Sequence, residues 1–72
     1  MEAEKKQEKI SELFEQLIGN LYFCFTRLKH LSLQNLEKLS RLELEKELTV
    51  ISAVLSTTLI ELGKLMYLLL GE

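Results

Sequence analysis

The chain has 72 residues, one cysteine, one histidine and a formal net charge of -2, which bounds it to one domain and excludes an internal disulfide or a structural zinc site built by this chain alone. It is too short for a dinucleotide-binding unit or a barrel, and chains of this size without disulfide or metal commonly gain stability by association. Nine Lys and Arg stand among eleven acids, all of them Glu, so the basic stripe of a nucleic-acid-binding surface is missing.

Proline, tryptophan and aspartate are absent, and glycine occurs only at positions 19, 63 and 71. A chain rich in Leu, Glu and Lys, with few residues that interrupt a helix, reads as all-α. The cluster Thr49-Val50-Ile51 is the one local hint of strand. Residues 1–9 are charged and polar and extend the first helix into solvent. No apolar core follows Met1 to Lys6, so no signal peptide is expected, and the lone Cys24 suits a reducing compartment. The expected location is cytoplasmic.

The first helix is marked by its period, over about residues 4–31. Ile10, Phe14, Leu17, Leu21, Cys24, Leu28 and Leu31 recur at alternating steps of four and three, a 3.5-residue seam, widened by Leu13, Ile18 and Phe25. Gly19-Asn20 falls inside that pattern, where glycine costs about 1 kcal/mol relative to alanine. A local bend or a close helix contact is expected there.

Between residues 31 and 40 the pattern blurs. Leu31, Leu33, Leu36, Leu39 and Leu42 recur mainly every three residues, a period that walks around a helix. Ser32, Asn35 and Ser40 are candidate starts of a second helix. Ser40-Arg41-Leu42-Glu43 has the spacing of a capping box. One continuous helix of ~105 Å is the rival reading. An antiparallel two-helix hairpin, completed by a partner chain or by dimerisation, is favoured because folding back buries the seams locally.

The second helix runs to about residue 70. Its seam is Leu44, Leu48, Ile51, Leu55, then Thr58 or Leu59, Leu62, Leu65 or Met66, and Leu69, and Gly71 is placed to stop it. The longest uncharged stretch, Leu48 to Ile60, is closed by Glu47 and Glu61. It is too short for the ~20 apolar residues of a span, so a membrane partner is disfavoured, and a peripheral or tail-anchored role through residues 48–70 ranks third, after a protein-binding module and a self-assembling bundle. If the chain reverses near residues 32 to 37, Leu17 lies near Leu48 to Ile51 and Ile10 near Leu55 to Leu59. The block from Leu62 to Leu70 then has no helix opposite it. Leu62, Leu65, Met66 and Leu69 are predicted to form a partner-binding stripe with Tyr67 at its rim, while Glu61 and Lys64 pair on the other side. The adjacent aromatics Tyr22 and Phe23, which a two-helix pair does not cover along with Phe25, are predicted as a second partner-binding element.

No catalytic constellation is found, and neither metal nor cofactor is expected. A triad needs a third structural layer that a hairpin lacks. His30, beside Lys29, reads as a solvated residue, and Cys24, on the seam, as a buried and inert thiol. The carboxylates fall on polar faces, as in Glu37 with Arg41 and Arg41 with Glu45 at i,i+4. These features predict a non-catalytic protein-binding module, or else a self-assembling helical bundle without a client.

The charged N-terminus, the end of the first helix in Phe25-Thr26-Arg27-Leu28-Lys29-His30, the polar reversal, the Glu- and Lys-rich Leu42 to Leu48 and the apolar Val50 to Leu55 together form a pattern over residues 8–62. That pattern resembles the YscE/EscE class of needle co-chaperones of bacterial type III secretion systems. The resemblance implies a cytosolic chaperone that binds a helical-repeat chaperone and, with it, keeps the needle subunit soluble. It carries over no individual functional residue.

Overall fold

A computed structural model of the chain describes residues 2–71. It is an antiparallel two-helix hairpin, α1 over Glu2–Leu33 and α2 over Arg41–Leu70, joined through a short 3-10 turn at Leu36–Lys38. The single continuous helix is excluded. The hairpin measures 56 × 18 × 15 Å.

The reversal is built by side chains acting as caps. The Glu37 N–H donates to Asn35 Oδ1 at 3.1 Å, which starts the 3-10 turn. Ser40 then opens α2 with a full capping box. The Glu43 N–H donates to Ser40 Oγ at 3.1 Å, and the Ser40 N–H donates to Glu43 Oε2 at 3.3 Å. Ser32, the third candidate, belongs to α1, where its hydroxyl donates to the Lys29 carbonyl at 2.7 Å. Gly71 ends α2 in the left-handed conformation, φ 74°, and its N–H donates to the Tyr67 carbonyl at 2.8 Å. A side chain there would be strained, so glycine is the fitting residue.

The connection uses seven residues and α1 runs back to Glu2, so the two helices are nearly equal in length. This corrects the expected overhang. α2 is displaced along α1 by roughly two turns from the sequence-based register. Leu17 and Ile10 therefore share one buried cluster with Leu13 and Leu65, backed by Leu68. A second cluster nearer the turn joins Cys24, Leu31 and Ile51, with Phe23, Leu39, Leu44 and Val54 packed against it.

A polar layer separates the clusters. Asn20 Nδ2 donates to Glu61 Oε2 at 3.4 Å across the hairpin, and the buried Thr58 donates its hydroxyl to the Val54 carbonyl at 2.7 Å. Thr58, not Leu59, is thus the inward residue at that level. No described side chain is fully enclosed, as expected of a core only two helices wide. Gly19 makes no close contact, since nothing lies within 4 Å of the position its Cβ would take. α1 also continues through it unbroken.

Candidate functional site

Each helix carries two apolar seams side by side. The inward seam of α1 is Ile10, Leu13, Leu17, Cys24 and Leu31, edged by the half-buried Asn20, and it faces Leu44, Ile51, Val54, Thr58, Leu65 and Leu68, edged by Glu61. The outward seam of α1 is Phe14, Ile18, Leu21, Phe25 and Leu28, again at steps of four and three. Its counterpart on α2 is Leu48, Ser52, Leu55, Leu59, Leu62, Met66 and Leu69. The two outward seams meet on one flank of the hairpin, where Leu17, Leu21, Leu55, Thr58, Leu59 and Leu62 line an open groove of about 340 Å³. The large apolar side chains of both outward seams are exposed.

The outward seam of α1 contains no polar side chain and is as apolar as the buried residues of the inward one. A lone surface leucine needs no explanation, but large apolar side chains exposed in a row, from Phe14 to Leu28 on α1 and from Leu48 to Leu69 on α2, mark an interaction surface.

The opposite flank carries the polar contacts across the hairpin, beside exposed apolar side chains such as Val50 and Tyr67. Arg27 Nη1 donates to Glu47 Oε1 at 3.0 Å and Oε2 at 3.3 Å, and the Arg27 guanidinium lies 5.2 Å above the Phe23 ring. Among the described residues this is the ion pair observed, in place of the predicted Glu37–Arg41 and Arg41–Glu45 pairs. Glu61, predicted to pair with Lys64, instead meets Asn20. Here cross-hairpin partners win over i,i+4 partners because α1 brings its own polar side chains to this flank.

Several predicted site residues are therefore relocated. Leu65, 4% exposed, belongs to the core between the helices and is withdrawn from the partner-binding stripe. Leu62, Met66 and Leu69 stay exposed and form the distal part of the outward seam. Tyr67 is exposed on the other flank, lining a shallow recess with Lys9, Gly63, Lys64 and Leu68. Tyr22 and Phe23 do not make one patch. Tyr22 is 71% exposed, while Phe23 is half-buried beneath Arg27 and against the Cys24 cluster. The reason is angular: consecutive residues point about 100° apart around a helix.

Phe14, Ile18, Leu21, Phe25, Leu28, Leu48, Leu55 and Leu59 were not singled out as partner-binding by the sequence pattern. The signal was present, because a single 3.5-residue seam does not account for Ile18 and Phe25, or for Leu59 and Met66. A second seam one step around the helix does.

The chemistry-bearing residues are dispersed. Cys24 is 3% exposed and its thiol points to the Ile51 carbonyl at 4.0 Å. His30 is exposed, with its Nε2 2.6 Å from the Gln34 side-chain amide. Among the described residues no three His, Cys or Glu side chains gather as a metal site. α2 is by length and composition able to cross a membrane. That corrects the expectation that its apolar stretch is too short for a span; the same helix supplies half of the exposed apolar flank.

Comparison with known proteins returns no matching family model, no matching curated protein and no matching solved structure.

Proposed function

We propose that this chain is a non-catalytic, cytoplasmic protein-binding module that offers the outward seam of its hairpin to helices of another protein chain. The observation that carries this reading is the exposed second seam: Phe14, Ile18, Leu21, Phe25 and Leu28 face out beside an inward seam that already fills the contact between the helices. An amphipathic helix pair that docks on helices needs such a stripe at i, i+3, i+4 and i+7 spacing. The resemblance to type III secretion needle co-chaperones narrows the partner to a helical-repeat chaperone, a needle subunit, or both. In that setting the hairpin shields an aggregation-prone chain by lending it an apolar face.

The test is recovery of the native complex from the source cells, with Leu21→Glu plus Leu62→Glu as the control. A stoichiometric helical partner present with the natural chain and lost with the variant supports the reading. Recovery of the natural chain with no other protein, under conditions that preserve known complexes of the cell, overturns it.

A further inference from the structure

We propose that, when no other chain occupies it, the outward seam is covered by a second copy of this chain, giving a two-fold symmetric four-helix bundle that a client must open in order to bind. This rests on the reading of the outward seam as the docking surface, and it names that surface's resident occupant.

The area is of the right order. The longer seam, from Leu48 to Leu69, runs about 32 Å and the hairpin is 18 Å wide, so the apolar flank projects to about 600 Å²; the ~800 Å² of accessible surface per partner of a standard stable interface is reached by a ridged surface from a smaller projection. The composition also suits self-pairing. Homodimer interfaces are more apolar than interfaces between chains that must also live apart, and the outward seams contain only one polar residue, Ser52. A two-fold axis brings each residue of a face against the same face of the partner copy. A face with charges of one sign would then repel itself; this one carries Lys29 over Phe25 and Arg41 with Glu45 beside Leu48 and Ser52, so both signs are present and both sit toward the turn.

Helix direction is satisfied as well. For two stacked hairpins, a two-fold axis in the contact plane makes every neighbouring helix pair antiparallel, whether the turns lie at the same end or at opposite ends. The open groove at mid-length becomes part of the bundle's core. Leu21, Leu55 and Leu62 of each copy meet there around the axis, in the four-cornered arrangement that a single helix pair lacks.

The inference also orders events. A client that uses the same seam competes with the second copy, so its apparent affinity falls as the concentration of this chain rises. The dimer is then a storage form that keeps the apolar flank dry until a client arrives.

Sedimentation equilibrium of the full chain at micromolar concentration tests this. The expected result is a dimer for the natural chain and a helical monomer for Leu21→Glu plus Leu62→Glu, with association weakened on the order of a thousandfold or more by the four carboxylates desolvated per dimer. Ile60→Glu, on neither seam, is expected to remain dimeric. Should the double variant unfold, a fluorescence readout decides. The chain has no tryptophan, so Phe25→Trp reports on the seam and Lys46→Trp on the polar flank. Emission from Phe25→Trp is expected to move to shorter wavelength as concentration rises through the dimerisation range, and emission from Lys46→Trp is not.

A helical monomer at tens of micromolar overturns self-pairing, as does a trimer or larger species. A monomer that floats with neutral phosphatidylcholine vesicles also overturns it, because lipid then covers the seam. A natural chain that is monomeric yet still captures a client, with capture lost in the double variant, overturns self-pairing and leaves the binding-module reading intact. A double variant that keeps both dimer and client overturns both.

Discussion

Truncating Leu65 to alanine tests the register of the hairpin directly. Leu65 is 4% exposed and touches the cluster of Ile10, Leu13 and Leu17 from the opposite helix. Leu→Ala at a buried site costs about 2–5 kcal/mol, depending on how far the surroundings collapse. A core with no fully enclosed side chain relaxes easily, so the lower end, about 2–3 kcal/mol, applies. For a domain of this length each kcal/mol moves the melting temperature by roughly 4–8 °C, so a fall of about 10–20 °C is expected. Ile60→Ala is the matched control: Ile60 lies five residues away on the same helix, is 62% exposed and sits on neither seam. Alanine's higher helix propensity should leave its melting temperature unchanged or slightly raised. Thermal melts followed by circular dichroism at one protein concentration compare the two. Equal losses for Leu65→Ala and Ile60→Ala, or no loss for Leu65→Ala, would refute the register and restore the idea that Leu65 faces a partner.

Removing the hydroxyl in Ser40→Ala breaks the capping box and is expected to lower stability by about 1 kcal/mol in a denaturant titration, with Ser40→Asp recovering most of it. Gly19→Ala meets open space and is expected to raise stability by about 0.5–1 kcal/mol; a loss in the same titration would show that a bound chain or a bend uses that gap. A double-mutant cycle of Arg27→Ala and Glu47→Ala is expected to give a coupling of about 0.2–1 kcal/mol that shrinks with added salt, because both side chains remain partly exposed. A salt-independent coupling of several kcal/mol in that cycle would contradict the assignment of this flank to solvent.

The helices, the cap at Ser40 and the stop at Gly71 were all legible in the sequence, because each rests on contacts within a few residues. The buried thiol was legible too, from the seam position of Cys24. What was not legible was how far α2 slides along α1. The seam repeats every seven residues, so leucine meets leucine in several registers, and the length of the connection and the polar contact of Asn20 with Glu61 choose among them. Asn35 has the character of a start of α2 by sequence, but it caps a 3-10 turn of its own, which moves the reversal toward Ser40 and carries Leu65 onto Ile10. The same repetition concealed the site. Phe14, Leu21 and Leu28 interleave with Leu17, Cys24 and Leu31 in one 3.5-residue pattern, and only the folded hairpin separates the three that face out from the three that face in. The angular offset between Tyr22 and Phe23 follows from helix geometry alone, and pairing them as one patch overlooked it.

The polar layer at mid-hairpin has a consequence for sliding. A shift of α2 by one heptad would preserve almost all of the leucine packing, so apolar contacts discriminate weakly between neighbouring alignments. Such a shift would carry Asn20 from Glu61 onto Val54 or Leu68. A half-buried amide or carboxylate stranded against an aliphatic surface costs about 1–3 kcal/mol, more than their bond contributes to folding in place. These few atoms thus act as a ratchet tooth: they add little grip to the correct alignment and penalise every other one. A hairpin held to a single alignment offers its outer flank in one fixed pattern of ridges, which is the condition for choosing one partner over another.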